Sequence, residues 1–508
     1  MLDRSLRLLF LFTMLTNTLL GQQDYFQQEV NYTIKASLND AENLLDASMQ
    51  IEYVNNSPDE LTTIMFHLWP NAYSDRNTAF AKQKINSNSD EFFFAKEEDL
   101  GGFRSIDFST NGIALSYSNH EGHLDVVALD LNEPLRAGET LLLDINFLLD
   151  VPASFSRLGQ IDDSYQMTQW YPKPAVYDRD GWHAMPYLDM GEFYSEFGSF
   201  DVSLTLPANY VVGATGQLQT ASELTFLKEK MAETSIHLEQ LNESIKKGVY
   251  TPEKRETPAS STTMKTIRYT AEQVHDFAWF ADKKFYVVGD EIALASGKKV
   301  ETYVMFTELE EKLWKDAITY VNRSVAFYSD KVGEYPWPHA TAVQSALSAG
   351  AGMEYPMITV IGLSGSAKSL DNVITHEVGH NWFYGILGSN ERMHAWMDEG
   401  LNSYYEGRYM DTYWESSSNQ LPGFITKGHD HQFDHVGYKV LAKSNAMQPP
   451  SMDSEKMWQG CYWLGSYVKV PYLWSYLDAY VGEAAVDSMM QAYFELWKFK
   501  HPNPADLQ

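Results

Sequence analysis

The hydrophobic period changes along this chain, and that change limits its fold more than any other feature. Between residues 24 and about 216, apolar residues recur at every second position over short runs. Leu143, Ile145, Phe147, Leu149 and Val151 alternate with Asp144, Asn146 and Asp150. Val202, Leu204 and Leu206 alternate with Ser203 and Thr205 until Pro207 ends the run. Turn-rich stretches such as NNSPDE and RAGE separate these runs. A period of two between turns predicts antiparallel sheet. From about residue 303 the period becomes helical, with Leu313, Trp314, Ala317, Tyr320, Val321 and Tyr328 marking one face of a helix that ends before GEYPWP. Strand-like MITVIG follows, then helical stretches over 371–387, 395–410 and 466–500. The expected fold class is multidomain α+β: a β-domain over 22–300 and a mainly helical unit over 301–508.

The segment 221–263 interrupts the β-pattern. Leu224, Leu227, Met231, Leu238, Leu241 and Ile245 follow three- and four-residue steps, with Thr234 in the gap. That predicts an amphipathic helix of about three heptads, then the loop TPEKRETPASSTT, before strand-like sequence resumes at TIRYT. The segment is expected to be a helical insertion in the β-domain, packed on its own domain or serving a partner.

The formal net charge of −30 repels phosphate backbones and anionic lipid, which argues against nucleic acid as a partner. At the amino terminus, MLDRSLR carries two arginines and LLFLFTMLTNTLLG follows. This is the pattern of a signal peptide over 1–21, so export to a periplasm or the extracellular space is expected, with no integral span after its removal. The single cysteine, Cys461, allows no intramolecular disulfide.

Residues 374–383 read ITHEVGHNWF. On a helix, His376 and His380 lie one turn apart on one face, so two imidazoles can meet one ion. Glu377 projects beside that face, where it can reach a water and act as general base. A catalytic zinc needs a third protein ligand, and WMDEG supplies Glu399 nineteen residues later (399 − 380 = 19). Glu406 lies seven residues beyond, two turns along the same helix face, placed to accept a hydrogen bond from a ligand.

HEVGHNWF followed by WMDEG resembles the HExxH-x18-E pattern of the aminopeptidase N family of gluzincin zinc metallopeptidases. GAGMEYP, carrying Gly352, Met353 and Glu354, resembles that family's Gly-x-Met-Glu-Asn loop, with Tyr355 where Asn is usual. The resemblance implies that this loop binds substrate and that Glu354 holds a free α-amine. GSYVKVPYLWSYLDAYVGE resembles the family's Tyr-x-Lys-Gly helix, with Val470 in place of Gly. It implies Tyr467 as donor to the oxyanion, with Tyr462 as the other candidate. TQWYPKPAVYDRDGWH resembles a stretch that brings a glutamine, here Gln169, to the first substrate pocket.

The resemblance implies a saddle-like N-terminal sheet domain and a thermolysin-like catalytic domain. It implies one Zn²⁺ and the hydrolysis of N-terminal residues from peptides by a zinc-activated water. A non-catalytic binding protein of gluzincin fold and a zinc endopeptidase are the alternatives. The family normally continues into an α-helical C-terminal domain, whereas this chain reaches Gln508 just after a helix. A truncated catalytic unit and a member lacking that domain are both open, as is the oligomeric state.

Overall fold

The computed structural model describes residues 25–162, 164–252, 254–345, 352–414 and 432–507. The expected signal peptide lies outside the described residues. The amino-terminal half is built on an eight-stranded sheet. Across it run Gln217–Leu218, Met264–Val274, Gly198–Pro207, Glu29–Asn39, Leu44–Val54, Thr140–Asp150, Gly102–Thr110 and Ile113–Ala114. Every pairing is antiparallel except Glu29–Asn39 against Gly198–Pro207. The alternation seen in the sequence sets its faces: Leu143, Ile145, Phe147 and Leu149 are buried, as are Val202, Leu204 and Leu206. Two four-stranded sheets and a two-stranded one, Tyr177–Asp178 with Gly181–Trp182, accompany it among the described residues.

The second half opens on a five-stranded sheet ordered Tyr286–Ala293, Lys299–Phe306, His339–Gln344, Ile358–Ile361, Gly352–Tyr355. Lys299–Phe306, His339–Gln344 and Ile358–Ile361 run parallel, and the strands at either edge are antiparallel. The boundary expected between residues 300 and 301 therefore falls inside a strand, and this sheet begins at Tyr286. The reason is local: an antiparallel hairpin reads alike whichever sheet it joins. Helices Ala317–Lys331, Ala367–Gly379, Leu401–Tyr413, Val470–Val481 and Glu483–Trp497 follow.

The insertion forms one helix, Ala221–Lys246, between neighbouring strands Gln217–Leu218 and Met264–Val274. It docks on the second sheet as well as on its own domain. Buried Thr234 accepts the Val287 amide at 3.0 Å, and His237 Nε2 lies 2.7 Å from Glu311 Oε2. No described helix is long and apolar enough to cross a membrane.

Candidate active site

The Ala367–Gly379 helix starts where Ser366 accepts the Ser369 amide at 3.1 Å, which satisfies one of the donors every helix start leaves open. Leu370, Ile374 and Val378 bury one face at four-residue spacing. The roughly opposite face carries His376 and His380 into a cleft of about 890 Å³. Two crosslinks fix this helix to Leu401–Tyr413. Tyr409 donates to the buried Asp371 at 2.7 Å, and Asn402 Nδ2 donates to the His376 carbonyl at 2.8 Å.

Glu399 reaches the histidines from a π-helical turn, Trp396–Gly400, that leads into the Leu401–Tyr413 helix. The Nε2 atoms of His376 and His380 are 3.1 Å apart, and each is 3.3 Å from Glu399 Oε2. Ligands about 2.05 Å from a tetrahedral zinc lie about 3.3 Å apart. The triangle therefore has the dimensions of a zinc site. Its donors are those zinc takes, and the buried Glu399 Oε2 has no hydrogen-bond donor among the described residues.

Carboxylates hold both imidazoles from behind. His376 Nδ1 donates to Glu406 Oε2 at 2.8 Å, and His380 Nδ1 donates to Asp398 Oδ1 at 2.5 Å. Burial opposes a charged imidazole, yet Glu399 and Glu406 hold His376 well above the usual histidine range, and Asp398, Glu354 and Glu399 do the same for His380. A field that favours a proton there also favours a divalent cation. Glu406 was legible from spacing. Asp398 was not singled out, although its position directly before Glu399 was the available signal.

Glu377 sits beside the triangle, 5 % exposed, with Oε2 lacking a donor. Burial pushes its carboxyl up to about 7, against the pull of His376 and His380. That places a general base near neutral pH. Gly352 lies against it, since a Cβ on Gly352 would fall 2.4 Å from Glu377 Oε1. The next residues of the same edge strand are Met353 and Glu354, all three lining the cleft. Glu354 is buried, its Oε1 has no donor, and burial with the charges of Glu377, Asp398 and Glu399 raises its carboxyl well above the usual range.

The two candidate tyrosines separate clearly. Tyr467, on a second π-helical turn, Leu464–Lys469, donates its hydroxyl to Glu399 Oε1. Its ring stacks on Trp463 at 4.3 Å. Tyr462 instead donates to Glu192 Oε2 at 2.9 Å. Val470, in place of the usual Gly, lies over Gly400, where a Cβ would meet Val470 Cγ1 at 2.5 Å.

Gln169 is not brought to this cleft. Its backbone is left-handed (φ 48°), and its buried amide donates to Asp276 at 3.0 Å and accepts from Tyr355 at 3.2 Å. The β-domain wall is made of other residues, which sequence reading missed. Arg157, 3 % exposed, donates to Glu192, to the Asp189 carbonyl at 2.9 Å and to Met353 Sδ at 2.9 Å. Lys84 on the Ala79–Asn86 helix pairs with Asp189 at 3.0 Å.

The Peptidase family M1 domain matches residues 317–508, which hold the zinc triangle, Glu377, Glu354 and Tyr467. Residues 317–508 are thus similar to an M1 peptidase domain.

Leucine aminopeptidase 2 of Aspergillus clavatus is 26% identical to this chain over 165 residues, 29% of this chain and 24% of that protein. A leukotriene A-4 hydrolase homolog of Botryotinia fuckeliana is 24% identical over 170 residues, 31% of this chain and 24% of that protein. The chain spans about a quarter of the length of these curated relatives. Solved structures share the fold across nearly the whole of this chain. An M1 zinc metallopeptidase from Deinococcus radiodurans covers 96% of this chain and 89% of its own, with TM-score 0.56 and 13% identity. A two-domain M1 zinc metallopeptidase mutant bound to L-arginine covers 96% and 90%, with TM-score 0.57 and 12% identity.

Proposed function

We propose that this chain is a zinc-dependent aminopeptidase that removes N-terminal residues from peptides. The observation that carries the reading is Glu354: a buried carboxyl with an unpartnered oxygen, on the cleft wall that also holds Glu377 and the zinc triangle. Such a group is costly to bury unless a cation meets it, and a substrate's terminal ammonium is a cation of the right size. Holding that ammonium at Glu354 places the first peptide bond, rather than an internal one, over the metal triangle.

His376, His380 and Glu399 would hold a zinc ion, which when bound would supply a Lewis acid for the scissile carbonyl and the attacking water. Glu377 then takes the proton from the attacking water and returns it to the leaving amine. Tyr467, its hydroxyl already at the centre, turns its hydrogen bond toward the carbonyl oxygen as charge develops there. Arg157 and Glu192, paired with each other, line the β-domain side of the cleft. The amino-terminal apolar run supports export, which N-terminal sequencing of secreted protein checks.

The deciding experiment compares zinc-loaded protein on a peptide with a free amine and on its acetyl-capped twin. Cleavage of the free peptide only, lost in E354Q through a rise in KM, is the expected result. Equal cleavage of both makes the chain an endopeptidase. Zinc uptake with no cleavage of either makes it a binding protein.

A further inference from the structure

Trp463 lines the catalytic cleft and is 45 % exposed, which is unusual for the largest apolar side chain. Its indole stacks on the Tyr467 ring, with centroids 4.3 Å apart and planes 20° apart. Tyr467 in turn lies over the His376 ring, with centroids 5.9 Å apart and planes 21° apart. Three nearly parallel rings therefore lead outward from the metal triangle, and Trp463 is the open end of the stack. The stack also has a direction relative to the substrate. A carboxylate oxygen of Glu354 clusters within 4.8 Å of donor atoms of His380, Asp398 and Glu399, whereas His376 belongs only to the cluster of the triangle itself. The ammonium pocket is thus at the His380 end of the triangle, and the ring stack departs from the His376 end. Val373, one turn before His376 and so on the side away from His380, lines the cleft as well.

We propose that Trp463 is a specificity-determining residue: its indole receives the side chain of the substrate's second residue and favours an aromatic one over glycine. The inference rests on the aminopeptidase reading above and deepens it. A peptide whose amine is held at Glu354 and whose first peptide bond lies over the triangle carries its second residue past His376. One extended residue spans about 3.5 Å, which takes that side chain along the ring stack toward its open end. An aromatic side chain laid on the indole gains a ring–ring contact and removes apolar surface from water, on a ring that the structure otherwise leaves half in solvent. Glycine gains neither. The ring pair ties this choice to the chemistry, because the surface that reads the second residue is the one that backs the Tyr467 hydroxyl donor.

The test gives the zinc-loaded full chain two peptides, Ala-Phe-Ala and Ala-Gly-Ala, and measures kcat/KM for release of the first residue from each. Wild type is expected to prefer Ala-Phe-Ala by about 3–10-fold, the worth of one aromatic pair, with the difference in KM. In W463A that ratio should fall to near one, and in W463F, which restores a flat ring, most of it should return. A wild type without the preference, or a W463A that keeps it, overturns the proposal. Equal loss of kcat on both peptides with the ratio unchanged makes Trp463 a mere support for Tyr467 and overturns it too. A wild type that cuts neither peptide overturns the aminopeptidase reading itself, a result no change in the ratio can mimic. Should W463A fail to fold, W463L removes the ring while keeping the site apolar, and the same two outcomes decide.

Discussion

Gly352 faces Glu377 so closely that a methyl group on Gly352 would sit 2.4 Å from Glu377 Oε1 and 2.6 Å from its Cγ. The neighbour is the proposed general base, held in a buried cleft, so it cannot swing away without leaving its place beside the two histidines. G352A is expected to lower kcat by about 100-fold, the cost of a misplaced catalytic group. Zinc content and the melting temperature should stay near wild type. Wild-type kcat in a folded, zinc-loaded G352A protein would show that Glu377 has room to spare.

The tyrosines offer a contrast inside one short helix. Tyr467 places its hydroxyl on Glu399, the proposed third ligand, whereas Tyr462 gives its own to Glu192. Loss of one oxyanion donor typically costs about 10²–10³ in kcat. Y467F should show that loss with KM little changed. Y462F should instead move KM, because it frees a wall residue. Steady-state kinetics on one aminoacyl substrate separates them, and equal kcat losses would contradict the assignment.

Glu406 touches no substrate, yet it fixes the tautomer and tilt of His376 and also accepts from Asn372. E406A should weaken zinc binding by about 10–100-fold and restore full kcat at saturating metal. Titration of the apoprotein with zinc in a competing chelator checks this. An unchanged affinity would mean that the histidine is held by packing alone.

Acid stability has a separate source. His339 is buried in the second sheet, donating from Nε2 to the Gly216 carbonyl at 2.8 Å, and burial pushes it down to about 4. An unfolded histidine titrates near 6.5. Between those values the unfolded chain binds a proton that the folded chain refuses. Stability is therefore full above about 6.5 and falls as pH drops toward 4, by about 1.4 kcal/mol per pH unit from this residue. Urea midpoints should decline over that window in wild type and less steeply in H339Q. Parallel curves would rule His339 out as the cause.

What the sequence revealed and concealed follows from distance along the chain. His376, Glu377 and His380 are related by helix geometry alone, and Glu406 by two further turns of another helix, so spacing was enough. The alternating strands were legible because one face is buried. Arg157 and Glu192 come to the cleft from loops far from the metal helix, and no local pattern marks them. Gln169 sits in a stretch whose resemblance pointed to the cleft, but a left-handed backbone turns its amide onto Asp276. The insertion helix was legible as a helix, while its docking on the second sheet depends on contacts such as Thr234 to Val287 that periodicity cannot express.

Glu399 and Tyr467 both sit on π-helical turns, Trp396–Gly400 and Leu464–Lys469. A π-turn is an α-helix with one residue too many, and each residue of a helix advances the side chains by about 100°. The aim of the third ligand and of the hydroxyl donor is thus set by chain length as well as by chemistry. Removing one residue from 464–469 would straighten the helix, preserve every catalytic side chain and rotate Tyr467 against the helix that follows. Such a deletion is a frameshift in space: the helix can survive it, while the site loses its register.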